Sequence, residues 1–208
     1  MWDLIQAYPG AELLTFVLAG LALNLAPGAD VLFATASGLR GGVRTGIAAG
    51  LGVGLGGVLH ITLSAFGLSA LIAAHPAALD VIRWAGAGYL LWLAFSAWRA
   101  PAQGTLAGDT VLHPGRAIWR GFAANALNPK VILFILAFLP QFTDPNYGPI
   151  WMQIVYLGGI FTVTGTLVTM GYGAVAGIFR TAALRQQTVM NRIAALVFTG
   201  LAARLVWE

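Results

Sequence analysis

The sequence predicts an all-α membrane protein of six transmembrane helices, arranged as two inverted three-helix repeats whose first and fourth helices are broken near the bilayer midplane. Three observations predict it. Of 208 residues, 59% are hydrophobic and only 9% charged, against roughly 25% charged in a soluble domain. The charges leave long neutral stretches, with none between Arg44 and Asp80 or between Asp144 and Arg180, and each stretch exceeds the ~20 apolar residues that cross a bilayer. Two apolar stretches also carry a proline beside a lone charge, Pro27 with Asp30 and Pro129 with Lys130.

Apolar runs bounded by charges and turn residues place spans near residues 13–37, 45–72, 77–98, 117–141, 149–178 and 189–206. Asp3 and Glu12 precede or open the first run without any lysine or arginine, unlike the basic start of a cleaved signal, so this run is expected to remain as a span. The second span carries Gly42, Gly46, Gly50 and Gly54 at four-residue intervals, with Gly52, Gly56 and Gly57 broadening the strip, so another backbone can approach it closely. His60 lies alone in this span and is a candidate site residue because imidazole titrates near neutrality. After the third span, residues 99–116 are rich in Gly, Pro and Ala and read as a cytoplasmic linker between a first repeat, 1–98, and a second, 117–208. The fifth span has its own glycines, Gly158 to Gly177, and a threonine series, Thr162, Thr164, Thr166 and Thr169, that either bonds back to helix carbonyls or lines a path.

Basic residues fix an orientation. Arg40, Arg44, Arg99, Arg116, Arg120, Arg180, Arg185 and Arg192, eight of the eleven, fall on one side of this span pattern, while residues 73–76 and 142–148 have none. By the positive-inside rule both termini face outward, away from the cytoplasm. Arg83 and Arg204 sit near outer span ends, where they can snorkel, and Lys130 is left deep.

The composition also excludes functions. Without cysteine there is no disulfide, thiolate metal site or thiol-redox chemistry. The pI near 10.0 comes from basic residues scattered singly between spans, which gives topology and not a nucleic-acid surface. His60, His75 and His113 lie far apart in the predicted topology, so no pair holds haem or a metal, and no cofactor is expected. No nucleophile and base pair marks an enzyme.

The candidate site lies at the two breaks. Three spans per half put the halves in opposite orientations, so the first span aligns with the fourth: Asn24-Leu-Ala-Pro27-Gly28-Ala29-Asp30 against Asn125-Ala-Leu-Asn128-Pro129-Lys130. Each proline is expected to start a second half-helix, with Asn128 capping its own. The half-helix N-termini would present free N–H groups to a carboxylate. Asp30 and Lys130 each cost at least about 2.5 kcal/mol if left unpaired at the bilayer centre. They therefore either dock the halves as an ion pair or bind substrate or a proton. An amino acid suits the second case, since Asp30 would hold its ammonium or a coupling proton, Lys130 its carboxylate, and Asn24, Asn125 and Asn128 its remaining polar groups.

The same residues carry a resemblance. Ala26-Pro27-Gly28-Ala29-Asp30, Gly38-Leu-Arg40-Gly41-Gly42-Val-Arg44-Thr-Gly46, Ala85-Gly86-Ala-Gly88-Tyr89-Leu90, Gly121-Phe122, Asn128-Pro129-Lys130 and Phe138-Leu139-Pro140-Gln141-Phe142 together resemble the LysE/RhtB family of amino-acid exporters, in its homoserine and threonine exporter-like branch. Ala29 departs from the family pattern, which has a second proline there. The resemblance implies proton-driven export of amino acids or close derivatives and no cofactor. The alternative is a metal or other small-ion exporter of a related fold, for which one deep aspartate is too few ligands. Exposed glycine faces would permit a homodimer.

Overall fold

The computed structural model describes residues 8–74, 78–99, 113–179 and 187–207. His75, Arg180, Arg185 and most of the expected linker lie outside the described residues, as do the side chains of Arg83 and Arg204. Among the described residues every regular element is helical. The helices are α1 (Gly10–Leu25), α2 (Ala29–Gly41), α3 (Val43–Ala74), α4 (Ala78–Arg99), α5 (Pro114–Ala126), α6 (Pro129–Leu133), α7 (Ile150–Ile178) and α8 (Gln187–Trp207). Between α6 and α7 the chain continues through a π-helical turn, Phe134–Phe138, and two 3-10 turns, Leu139–Phe142 and Pro145–Tyr147.

Two segments, Val43–Gly67 and Ile150–Ile178, are each long and apolar enough to cross a membrane alone. Two further pairs qualify when their halves are joined: α1 with α2, bent by 50°, and Pro114–Ala126 with Pro129–Phe142, bent by 48°. Both bends fall at the prolines, and their local causes differ. Proline forces the residue before it out of the helical region, so Ala26 is extended (φ −66°, ψ 124°) and α1 stops there. Gly28 is extended too, and α2 starts only at Ala29, two residues beyond Pro27 and not at the proline itself as expected. Pro129 does begin its half-helix, and Asn128 Oδ1 accepts the Lys130 N–H at 3.0 Å, as the spacing predicted. The π turn answers to Pro140: a proline clashes with the carbonyl four residues back, and the ladder shifts so that the Leu139 N–H reaches Phe134 O.

The long helix α3 packs most extensively on α7 and α5, and α4 packs on α8. Its glycines decide how close those neighbours come. A Cβ on Gly46, Gly50, Gly54 or Gly57 would run into Gly173, Met170, Thr166 or Thr162 of α7. Gly52 and Gly56 do not widen that strip. They lie against Ile118 and Asn125 of α5, because two residues are about 200° round a helix, which makes α3 small on two opposite faces. At the turn from α2 into α3, Gly42 takes φ 78° and gives its N–H to Gly38 O at 2.8 Å, a backbone setting that favours glycine.

The apolar core gathers under the two breaks. Phe134 stacks on Phe161 at 4.6 Å and on Phe138 at 4.8 Å, with Phe16 and Phe142 at the edges. Beyond them Gln153, fully buried, ties the 143–149 turn: its Nε2 donates to Asp144 O (2.7 Å) and Gly148 O (2.8 Å), and its Oε1 accepts the Asp144 N–H (3.0 Å) and the Tyr8 hydroxyl (3.2 Å). Burial, and then Glu12, hold the Tyr8 phenol well above its usual range, so it remains a donor.

Candidate functional site

The breaks bring the two deep charges together. Lys130 Nζ lies 3.2 Å from Asp30 Oδ1, with the side chains 3% and 7% exposed. The same ammonium donates to the Ala26 carbonyl at 3.2 Å. That carbonyl belongs to the end of α1, where Pro27 has removed the N–H that would otherwise continue the ladder, and the negative end of a helix is favourable ground for a cation. Tyr172 of α7 donates to the neighbouring Leu25 carbonyl at 3.0 Å. The last turn of α1 is thus capped by side chains from the second half of the chain.

Gly28 makes this approach feasible: a Cβ there would sit 2.8 Å from Lys130 Nζ and 2.7 Å from Asp30 Oδ1. Asp30 stands in the first turn of α2, where a carboxylate is favoured by the helix dipole. The second break differs. Asn128 already occupies the Lys130 N–H, and Pro129 has none, so the expectation of free N–H groups at both half-helix N-termini does not hold for α6.

Asp30, Asn24 and Asn125 line one small cavity together with Phe161, Thr162 and Thr166 of α7. Its volume is about 20 Å³, enough for roughly one water molecule. Asn24 is committed to α7, donating to Phe161 O (3.1 Å) and Thr164 Oγ1 (3.2 Å). Asn125 Oδ1, Asn128 Nδ2 and Thr162 Oγ1 are buried without a hydrogen-bond partner among the described residues. Buried polar groups are nearly always paired, and two of these three residues, Asn125 and Thr162, line the small cavity. His60 is outside the charge-pair cavity. Its Nε2 donates to the Asn125 carbonyl at 3.0 Å, and it faces a separate space lined also by Ser64.

The sequence did not single out Phe161 or Tyr172, because an aromatic in a uniformly apolar span carries no periodic mark. Of the two readings of the threonines, back-bonding is seen at Thr166 and Thr169, which donate to Thr162 O and Gly165 O; Thr162, Thr166 and Thr169 also line the small cavity. Among the described residues no three His, Asp or Glu side chains converge as metal ligands would.

The family model for LysE type translocators matches residues 21–208. The chain is 35% identical over 168 residues to a homoserine/homoserine lactone efflux protein of Salmonella typhi, covering 77% of this chain and 78% of that protein. It is 31% identical over 198 residues to a leucine efflux protein of Klebsiella pneumoniae, covering 92% and 93%. An uncharacterized membrane protein of Vibrio cholerae is 34% identical over 166 residues, covering 78% and 80%. No solved structure matches the chain significantly.

Proposed function

The chain belongs to the LysE type translocator family, a family of membrane transporters and not enzymes, and from that premise we propose that it is a secondary exporter of amino acids or close derivatives, driven by the proton gradient of a bacterial inner membrane. The observation that carries the reading is the buried Asp30–Lys130 pair at the meeting of two broken helices. A zwitterion carries the same two charges in one small molecule. It can enter by exchange, its carboxylate taking Asp30's place on Lys130 and its ammonium taking Lys130's place on Asp30. When the substrate leaves, the two side chains neutralise each other again. Neither the substrate-loaded state nor the empty paired state then leaves an isolated charge in the low-dielectric interior, where an unpaired ion costs roughly several kcal/mol.

A space of about 20 Å³ holds no amino acid, so loading requires the halves to separate around the pair. Alternating access by rocking of two inverted three-helix repeats, residues 1–98 and 117–208 joined by the 99–116 linker, supplies that motion. α4 and α8 complete the six spans in this reading, both termini face the periplasm, and the glycine-lined surfaces permit a homodimer. Asp30 is the group that would take the coupling proton on the return step, with Gly28, Pro27 and Pro129 fixing the backbone around it. The relatives named for homoserine, its lactone and leucine efflux support amino acids as the cargo.

The test is efflux from proteoliposomes loaded with a panel of amino acids, with and without an imposed pH gradient. Gradient-dependent loss of at least one amino acid is the expected result. Gradient-independent loss would remove the proton coupling, and transport of divalent metals without any amino acid would overturn the export reading.

A further inference from the structure

Beside the charge-pair cavity, across the His60–Asn125 hydrogen bond, lies a larger chamber of about 370 Å³. One face of α3 serves both spaces. Gly54 and Gly57 line the cavity, and His60 and Ser64 line the chamber, positions that follow one another at three- and four-residue spacing, about 4.5–6 Å apart along the axis. The opposite wall is built from the second break: Ala126 ends α5, Ile132 lies in α6, and Ile135 sits in the π turn. Asn125 lines the cavity, and its carbonyl accepts from His60, which lines the chamber.

Resting on the export reading above, the geometry points to a two-compartment site: Asp30 and Lys130 hold the ammonium and carboxylate, the chamber receives the side chain, and the substrates are amino acids with uncharged side chains. The volume falls in the lower part of the range of small-molecule sites, roughly 300–1,000 Å³. Among the described residues no carboxylate, lysine or arginine lines it. A charged side chain would give up its hydration there with no opposite charge to meet it.

The chamber is nevertheless not wholly apolar. Ser64, 7% exposed, puts a hydroxyl-bearing side chain in its lining. The Asn125 carbonyl can only accept, so His60 Nε2 bears a hydrogen and the imidazole is held in place by it. A substrate oxygen on an otherwise aliphatic side chain finds a partner in Ser64.

The experiment compares alanine, leucine, homoserine and lysine efflux from proteoliposomes bearing the wild type, Ala126→Leu, Gly67→Leu and Ser64→Ala. Gly67 also lines the chamber, and a Cβ there meets nothing within 4 Å, so its leucine variant keeps the fold if Ala126→Leu does not. Expected are wild-type export of leucine well above lysine, and loss of leucine export by at least about tenfold in the filled variants with alanine export within about twofold. Ser64→Ala should lower homoserine export relative to leucine. Equal effects on alanine and leucine, or lysine export matching leucine, would overturn the two-compartment site. Wild-type protein that moves no amino acid at all would instead overturn the export reading on which it rests.

Discussion

Gly46 of α3 and Gly173 of α7 meet backbone to backbone: a Cβ built on either would lie 2.7 Å from the other's Cα. Real side chains do not pack so closely, and the contact repeats down the pair at Gly50 with Met170 and Gly54 with Thr166. In lipid no hydrophobic difference drives helices together, so close van der Waals packing of small residues is what holds α3 on α7. The line ends at the wall of the charge-pair cavity, where Gly54, Thr162 and Thr166 meet. Packing and site are therefore one surface.

Gly46→Ala and Gly173→Ala should each destabilise the protein by about 1–3 kcal/mol, as expected for forcing methylenes into a filled interface. Gly171→Ala, two residues away on a face with nothing within 4 Å, is the control and should be neutral or slightly stabilising. Thermal unfolding of the detergent-purified proteins measures the difference. Equal melting temperatures for Gly173→Ala and Gly171→Ala would mean that the interface gives way more easily than its geometry implies.

Asn128→Ala should lower stability by about 0.5–2 kcal/mol, because the Lys130 N–H loses its acceptor at the start of α6. Asn128→Ser keeps a neutral capping acceptor at this buried position and should recover part of the loss. The same melting assay reads both variants.

Much of this was legible in the sequence because proline and charge act locally. Pro27 and Pro129 in apolar runs mark breaks whatever surrounds them, and Asn128 before Pro129 marks a cap. What depends on neighbours in space was not legible. Nothing in the chain signals that Lys130 would reach the Ala26 carbonyl, 104 positions away, or that Asn24 would be spent on α7. The start of α2 at Ala29 was missed because glycine extends a break that proline alone would have ended. The second glycine face of α3 was missed because spacing gives an angle round a helix but not which neighbour occupies it.

Gln153→Leu should cost at least about 2 kcal/mol, since it strips partners from the Asp144 and Gly148 carbonyls and the Asp144 N–H. Gln153→Glu keeps the acceptor for Asp144 N–H but sets a carboxylate against two carbonyls, so it should not rescue. A melting temperature unchanged in Gln153→Leu would show that water replaces the amide in the turn.

Topology can be read on a chain that has no cysteine of its own. Single cysteines placed at 99–116 or 179–190 should react with a membrane-impermeant maleimide only after the cytoplasmic side is opened, and those at either terminus should react in intact spheroplasts. Labelling of the 99–116 segment from outside would sink the proposed orientation.

The two deep charges separate a transport site from a docking pair. Asp30 and Lys130 are buried and 3.2 Å apart, so removing either leaves an uncompensated charge, at a cost of about 3–5 kcal/mol. Asp30→Asn and Lys130→Met should each reduce the yield of folded protein and abolish export. Asp30→Asn combined with Lys130→Met removes both charges and should recover much of the yield, with Ala26 O losing its cap as the residual defect. If the pair only docks the halves, export normalised to folded protein recovers too. If Lys130 and Asp30 must receive the carboxylate and ammonium in turn, the double variant folds and exports nothing measurable. The second outcome is the expected one, because Asp30 already stands in the first turn of α2, where the helix dipole favours a carboxylate, and three unpartnered polar atoms lie at and beside the breaks. Near-normal export by the double variant would leave the pair a structural role alone.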